Sequence, residues 1–158
     1  MKLSDEIKQA EFPDAHTEAM LNLHFTSHWL YRVLQEQIKE FDISNEQFNI
    51  LRILRGNRGG TYNLCDVQER TLNRTANATR LVEKLRKRGL VSRQTNEEDR
   101  RRVDIGITEE GLALLAEMDR PTEEMNRLTA KALTNEEART LTHLLERLRE
   151  RLDVAGMR

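Results

Sequence analysis

Hydrophobic residues recur at intervals of three and four along most of the chain, which predicts a protein built mainly from amphipathic helices. The first long helix is predicted over residues 14–41, with Asp14 as its N-cap. Its main apolar stripe comprises Leu23, Leu30, Leu34, Ile38 and Phe41. A second apolar face comprises Met20, Trp29, Tyr31 and Val33. A helix that is apolar on two sides has to bury both, so we expect a partner chain to cover one of them.

Three more helices are predicted in the middle of the chain. Ser44 and Gln47 form a capping-box pattern at the start of the second helix. The inward residues of that helix are Phe48, Leu51 and Leu54. Asn63 is expected to cap a short third helix, and Asn73 or Thr75 to cap the fourth. The apolar stripe of the fourth helix comprises Ala78, Leu81, Val82 and Leu85.

The pattern changes after Gly89, which is expected to end the fourth helix. Residues 91–94 and 103–107 are predicted to be two strands, joined by the charged loop "TNEEDRRR". Helical spacing returns at Thr108, which is expected to cap a helix that Pro121 kinks or interrupts. The last helix opens on a capping box and continues as a leucine seam: Thr134, Glu137, Leu141, Leu144, Leu145, Leu148 and Leu152.

This order of elements predicts a mostly α fold. Three helices followed by a hairpin are typical of a winged helix-turn-helix, in which the second helix of the pair enters the DNA major groove. We therefore expect a winged helix-turn-helix with a two-stranded β wing, flanked by N- and C-terminal helices that mediate dimerisation. The predicted domain organisation is one unit over residues 1–158. Within it, residues 43–107 form the DNA-binding lobe, and residues 1–42 and 108–158 form the dimerisation helices.

Charge is unevenly distributed, although the formal net charge is only −1. Residues 61–106 contain eleven Lys or Arg and seven Asp or Glu, a surplus of four positive charges. The flanking segments then carry a surplus of five negative charges. A basic middle between acidic ends indicates a segment that binds a polyanion.

The predicted fourth helix has a polar outer face suited to reading DNA. With the apolar stripe turned inward, Asn77, Arg80, Lys84 and Arg88 lie outward. Arg can pair with guanine, Asn with adenine, and Thr with a phosphate or a thymine methyl group. The residues that we expect to contact DNA from this helix are Arg74, Thr75, Asn77, Thr79, Arg80 and Lys84. A solvated basic face is the plain alternative for such a stripe.

The hairpin loop holds three adjacent arginines. Side by side they repel one another, whereas a duplex offers a row of phosphates and a negative minor groove. Asp99 could brace Arg101 without neutralising the loop. A solvated charged turn is the alternative reading of the loop. The predicted wing contacts are Asp99, Arg100, Arg101 and Arg102.

The stretch "NATRLVEKLRKRGLVSRQTNEEDRRRVDIGITEEG" resembles the recognition helix and wing of the MarR family of regulators. The matching positions are residues 79–82, Leu85, residues 89–91, residues 99–101 and residues 108–111. The resemblance implies a homodimer formed through the N- and C-terminal helices, and a wing arginine, here Arg101, in the minor groove. It implies double-stranded DNA as the partner. The expected function is that of a sequence-specific transcriptional regulator, a repressor that binds a pseudo-palindromic operator.

The same resemblance suggests release from DNA by a small aromatic effector. The candidate effector pocket comprises His24, His28, Trp29 and Arg32, which offer rings for stacking and a cation for a carboxylate. Trp29 is alternatively a core or dimer-interface residue. His24 and His28 alone lack the further ligands of a zinc site, so we expect no metal and a pair of partly buried, hydrogen-bonded histidines instead. Cys65 is expected to be a small buried side chain and not an oxidant sensor.

Other classes of function find less support. The chain has no Gly-rich phosphate loop, paired-cysteine motif or nucleophile–base arrangement, so we expect neither an enzyme nor a cofactor. An interaction module that dimerises without reading DNA is the alternative, but such a module has no need of "DRRR". The single cysteine and the polar N-terminus predict a cytoplasmic protein without membrane association.

Overall fold

The computed structural model describes residues 1–57, 59–96, 102–154 and 156. The described helices are α1 (Leu3–Glu6), α2 (Ala15–Ile38), α3 (Asn45–Arg55), α4 (Leu64–Arg70), α5 (Ala78–Lys87), α6 (Glu109–Ala132) and α7 (Asn135–Val154). A 3-10 turn, Lys39–Phe41, continues α2. The strands are β1 (Tyr62–Asn63), β2 (Val91–Thr95) and β3 (Val103–Ile107). The mostly helical winged-helix fold expected from the sequence is confirmed.

The chain divides into two compact units, Met1–Asp119 and Arg120–Arg158. The first contains the helix-turn-helix, the sheet and the buried core. The second contains the last part of α6 and all of α7. Among the described residues, none of the helices combines the length and apolarity required to cross a bilayer.

Most helix starts are fixed by the caps that the sequence predicts. Asp14 accepts hydrogen bonds from the backbone N–H groups of His16 and Thr17, at 2.8 and 3.0 Å. Ser44 and Gln47 form the complete capping box of α3. Asn63 caps α4, and Thr134 and Glu137 form reciprocal bonds at the start of α7. Each of these bonds satisfies an N–H group that the helix itself leaves unpaired.

The predicted cap of the recognition helix α5, the fourth helix predicted from the sequence, is wrong because Asn73 and Thr75 lie four and two residues too early. The N-cap of α5 is Asn77, whose Oδ1 accepts from the N–H of Arg80 at 3.0 Å. Asn73 instead accepts from the N–H and hydroxyl groups of Thr75, at 3.2 and 2.7 Å, within the preceding turn. Both arrangements are local Asn side-chain bonds, so the sequence pattern did not distinguish a turn from a helix start.

α6 is continuous through Pro121, so the predicted interruption is wrong. Proline removes one donor from a helix but leaves the hydrogen bonds of the turns on either side available. At the start of α6, the hydroxyl oxygen of Thr108 accepts from the N–H of Gly111 at 3.1 Å, as a cap does. A Cβ atom on Gly111 would lie 2.2 Å from the carbonyl oxygen of Leu90, so only glycine allows this approach.

The wing is part of a three-stranded antiparallel sheet in the order β1-β3-β2. β2 and β3 pair from Val91 opposite Ile107 to Thr95 opposite Val103. β1 adds two residues to the far edge of β3 and was not predicted, because two residues carry no readable alternation.

The core lies where α3, α5 and the sheet meet in the first unit. Its fully buried large side chains include Ile38, Ile50, Leu51, Leu54, Val67, Leu85, Ile105, Leu115 and Met118. Cys65 is exposed, so the prediction of a buried thiol is wrong. The buried position of α4 is Val67, two residues further along the helix and therefore on another face.

Candidate nucleic-acid interface and adjoining cavity

The recognition helix α5 divides cleanly into a buried and an exposed face. Ala78, Val82 and Leu85 are buried. Thr79, Arg80 and Lys84 are exposed on the opposite side. The side chains of Arg80 and Lys84 form no hydrogen bond or ion pair with any residue that the structure describes. These two cations are therefore available to an external anion.

The N-terminal end of α5 presents three further predicted residues to solvent. Arg74 and Thr75 lie in the turn before the helix, and Asn77 is the cap itself. Because the Oδ1 atom of Asn77 accepts from Arg80, its amide nitrogen is the group left for an outside partner. All three are exposed.

Two other cations of α5 and its C-cap are already paired within the protein. Arg86 forms a bidentate bond with Glu83, at 2.8 and 3.0 Å, which lowers the pKa of that carboxyl. Arg88 lies in the predicted outward stripe, but its guanidinium donates to the backbone carbonyls of Phe41 and Asp42. The polar stripe thus contains cations that have no partner among the described residues and cations that are already bonded within the protein. The spacing of the residues along the sequence does not distinguish the two kinds.

The base of the wing is closed by side-chain and backbone bonds between its strands. Asn96 donates from its backbone N–H to the carbonyl of Arg102 at 3.0 Å, and from its amide to Asp104 at 2.7 Å. Arg102 is exposed. The predicted contacts Asp99, Arg100 and Arg101 lie outside the described residues.

A cavity of about 440 Å³ lies between α2, α3 and the turn that precedes the recognition helix. Most of its surface is apolar, and it is lined from three directions. The α2 residues are Ser27, Leu30, Tyr31 and Leu34; the α3 residues are Asn45, Glu46, Phe48, Asn49 and Arg52. The turn contributes Thr71, Leu72, Asn73 and Ala76, and α5 contributes Ala78 and Leu81. The cavity therefore adjoins the N-terminal end of the recognition helix.

The cavity does not include the four residues predicted as an effector pocket. Successive helical residues turn by about 100°, so His28, Trp29 and Arg32 lie on the other side of α2 from Leu30 and Leu34. His24 also lies outside the lining, at the edge of that face. Trp29 instead lines a smaller hollow of about 190 Å³ with Met1, Leu3, Asn22, Phe25 and Thr26. The sequence predicts two apolar faces on α2 and does not indicate which one adjoins the cavity.

The polar rim of the cavity is held by a tyrosine–carboxylate bond. Tyr31 donates to Oε1 of Glu46 at 2.9 Å. Burial and the hydrogen bond to Glu46 raise the pKa of Tyr31. Burial raises the pKa of Glu46, but its backbone N–H and the donors Tyr31 and Ser44 outweigh this, and the net pKa is lowered. Glu46 is thus held as a carboxylate.

Three residues of α3 at the cavity were missed in the sequence. Asn45 is buried and donates from its amide to the Tyr31 carbonyl at 2.9 Å. Asn49 accepts from the backbone N–H of Leu72 at 2.9 Å. The guanidinium carbon of Arg52 lies 5.7 Å from the centre of the Phe48 ring. Residues 45, 49 and 52 form a polar stripe at helical spacing on an otherwise core-forming helix, and that stripe was the available signal.

The predicted histidine pair lies on the exposed surface of α2. Nδ1 of His28 is 2.9 Å from the backbone carbonyl oxygen of His24. Both side chains are exposed and not partly buried as expected. Within the parts of the chain that the structure describes, no group of three or more His, Cys, Asp or Glu side chains is arranged to hold a metal ion.

Two helices joined by a turn are followed by a β wing, and the exposed face of the second helix carries cations that have no partner among the described residues. These features define a winged helix-turn-helix DNA-binding protein. The MarR family profile matches residues 43–103. The transcriptional regulator PecS of Dickeya dadantii (strain 3937) is 31% identical over 96% of this chain and 95% of PecS. The chain therefore belongs to the MarR family and is a DNA-binding transcriptional regulator.

Two other proteins extend the comparison. The transcriptional repressor IacR of Pseudomonas putida is 25% identical over 90% of this chain and 81% of IacR. A solved structure of Bordetella bronchiseptica BpsR, whose DNA binding is regulated by 6-hydroxynicotinic acid, superposes with a TM-score of 0.71. The two chains are 25% identical, and the match covers 87% of this chain and 96% of BpsR. The related proteins are transcription regulators and not enzymes.

Proposed function

We propose that this regulator is a repressor that binds a pseudo-palindromic operator as a homodimer, with one α5 helix in each half-site. The observation that carries the proposal is the exposed face of α5, on which Arg80 and Lys84 have no partner among the described residues. Free cations on a helix of this fold are suited to phosphates and guanine edges. The repressor role is supported by the relationship to IacR.

The proposed DNA contacts are of two kinds, those to base edges and those to the phosphate backbone. Arg80 and Asn77 are proposed to contact base edges, and Thr75 a base or phosphate at the helix N-terminus. Arg74, Thr79 and Lys84 complete the major-groove surface. Wing residues 99–102 follow the neighbouring minor groove, where Asp99 orients Arg101.

The dimer is proposed to form through residues 1–42 and 108–158, with residues 43–107 as the DNA-binding lobe. The support is an excess of large apolar side chains that remain exposed on α2 and α7. They include Leu21, Leu23, Leu30, Leu141 and Leu144, between 36% and 47% exposed. Monomeric proteins rarely leave such faces uncovered, and a second copy presents the same faces in return.

An effector is proposed to bind the cavity described above and to weaken DNA binding. The cavity has an apolar body and a cation, Arg52, at its wall, while the Glu46 carboxylate is engaged by Tyr31, so the cavity suits a small aromatic carboxylate. Because Thr71, Leu72 and Asn73 form one wall, a ligand would displace the turn that leads into the recognition helix. BpsR, a protein similar to this chain, has its DNA binding regulated by an aromatic acid, 6-hydroxynicotinic acid, which supports an effector of this class. The effector would thereby favour a dimer with wrongly spaced recognition helices.

The operator proposal is tested by selecting ligands from a pool of random duplexes at low and moderate salt, followed by sequencing. We expect an inverted repeat with half-sites about one helical turn apart. Salt-sensitive binding without an enriched site would indicate a non-specific DNA binder. Failure to bind at either salt concentration would instead favour the dimeric interaction module.

The effector proposal is tested by adding aromatic acids, 6-hydroxynicotinic acid among them, to the protein–operator complex, with the corresponding amides as neutral controls. An acid that binds should release the duplex, whereas its amide should not. Arg52→Gln should abolish the response, and Arg32→Gln, on the other side of α2, should retain it. The reverse result for the two variants would restore the pocket predicted from the sequence.

A further inference from the structure

We propose that Arg88 is a positioning residue, which fixes the recognition helix relative to α2 and thereby sets the half-site spacing that the dimer accepts. This inference rests on the proposed dimeric binding of an inverted repeat. It assigns to Arg88 a role other than the DNA contact that its place in the outward stripe of α5 suggests.

The geometry joins two chain segments that are far apart in sequence. Arg88 is the C-cap of α5. Its Nη2 atom donates to the carbonyl oxygen of Phe41 at 3.1 Å, and its Nη1 atom donates to the carbonyl oxygen of Asp42. The carboxylate of Asp42 lies 3.8 Å from Nη1. Phe41 ends the 3-10 turn that continues α2, so one guanidinium connects the ends of two helices.

The carbonyls at this position need such a donor. A helix leaves its last carbonyl groups without partners, and the end of its dipole favours a cation. Asp42 has a φ of +53°, which turns the chain away after Phe41 and ends the helical hydrogen bonding. The planar fork of arginine can donate to two carbonyls at once, whereas lysine offers a single rotating point charge.

The backbone of Arg88 is itself held in place. The N–H of Leu90 donates to the carbonyl of Leu85 at 3.0 Å, and Leu90 is buried. Gly89, with a φ of +74°, provides the left-handed residue for this helix ending. Because Arg88 is anchored in this way, its bonds to the end of the 3-10 turn couple the orientation of α5 to that of α2.

Arg88 differs from the other cations of the polar stripe, and this difference favours a positioning role over a DNA contact. The side chains of Arg80 and Lys84 have no partner among the described residues, whereas Arg88 is already occupied by two carbonyls. These two bonds use two of the five N–H groups of the guanidinium, so a phosphate could reach only the remaining three, in the orientation that the carbonyls fix. α2 carries the exposed apolar face proposed for dimerisation, so the angle between α2 and α5 sets the separation of the two recognition helices.

The experiment compares the wild-type chain with the variants Arg88→Ala, Arg88→Lys and Arg80→Ala. Each protein is titrated with the selected inverted repeat and with duplexes whose central spacing is one or two base pairs shorter or longer. Affinity is measured at several salt concentrations, and thermal unfolding gives the folded fraction. For Arg88→Ala we expect about tenfold weaker binding at the preferred spacing, which is the scale of lost charged hydrogen bonds. The loss of affinity should be smaller at other spacings, and the salt slope should be unchanged. Arg88→Lys should recover part of the preference for the selected spacing. It also keeps the test possible if Arg88→Ala does not fold.

The control Arg80→Ala removes a proposed base-edge contact and should therefore weaken binding by a similar factor at every spacing; the loss of a phosphate contact would in addition reduce the salt slope by about 1. The same behaviour in Arg88→Ala would make Arg88 a DNA contact and overturn the inference. An unaltered spacing preference, with or without a lower unfolding temperature, would also overturn it. In either case wild type still selects an inverted repeat, so the proposed function stands; if wild type selects none, both fail together.

Discussion

The side-chain Oδ1 atom of Asn49 accepts a 2.9 Å hydrogen bond from the backbone N–H of Leu72, which ties α3 to the turn before the recognition helix. The side chain of Leu72 is 90% exposed, so burial does little to hold this turn in place. Both residues also line the cavity between α2, α3 and α5. One hydrogen bond thus joins the proposed effector site to the proposed DNA-reading surface.

Replacement of Asn49 by alanine should loosen this turn. We expect the free energy of unfolding to fall by about 1 kcal/mol, the usual contribution of one hydrogen bond, and DNA affinity to fall as well. The matched control is Asn57→Ala, which removes a 2.8 Å bond to the carbonyl of Thr61 in the loop between α3 and β1. Denaturant unfolding and duplex titration measure the two effects. Equal losses of affinity in both variants would show that only stability matters.

Arg80→Ala should weaken duplex binding by about 1–3 kcal/mol, because a base or phosphate contact is lost. Arg86→Ala is the charge-matched control on the same helix, since Arg86 is engaged by Glu83 at 2.8 and 3.0 Å. Titration of the selected duplex at fixed salt compares the two. Normal binding by Arg80→Ala would remove this residue from the interface.

Arg101→Ala should also weaken binding by about 1–3 kcal/mol and leave the dimer intact, because a wing arginine is proposed to enter the minor groove. Lys131→Ala, which removes one exposed cation from α6, controls for the change in net charge. Duplex titration and sedimentation report affinity and oligomeric state. A variant that binds as wild type does would refute the wing assignment.

The lowered pKa of Glu46 predicts a stability that depends on acid pH. The stabilisation is fully present above the ordinary value of 4.5 and is lost as pH falls through the lower pKa of the folded state. Glu46→Gln should therefore be less stable than wild type at neutral pH, by about 1 kcal/mol for the charged hydrogen bond, and equal to it in acid. Unfolding across pH 3–7 measures this, with the exposed Glu40→Gln as control. A constant difference at all pH values would contradict the prediction.

Gly111→Ala should destabilise the first unit by about 3 kcal/mol, because an overpacked site has to shift its backbone. The added Cβ would lie 2.2 Å from the carbonyl oxygen of Leu90 and 2.8 Å from Ile107. Ala113→Gly, an exposed position on the same helix, should cost about 1 kcal/mol through helix propensity alone. Thermal and denaturant unfolding provide the comparison. A smaller cost for Gly111→Ala than for Ala113→Gly would show that α6 can move away from Leu90.

The sequence by itself determined the elements and most of their boundaries. The capping pairs of Asp14, Ser44 and Thr134, the inward stripe of α5 and the alternation of β3 all depend on neighbours within four residues. Such interactions form wherever the local chain folds, so spacing is sufficient to predict them. The family resemblance and the exposed residues of the helix that we propose to read DNA followed from the same local patterns.

The tertiary structure alone decided which side chains are engaged and where the cavity lies. Arg88 looks like Arg80 in the sequence, yet its partners are carbonyls 46 and 47 residues away. The cavity uses the Leu30 face of α2 and not the Trp29 face, and it includes Asn49 because Leu72, 23 residues later, closes over it. Contacts of this kind depend on how helices pack across the core, and the period of a single helix carries no information about its distant neighbours.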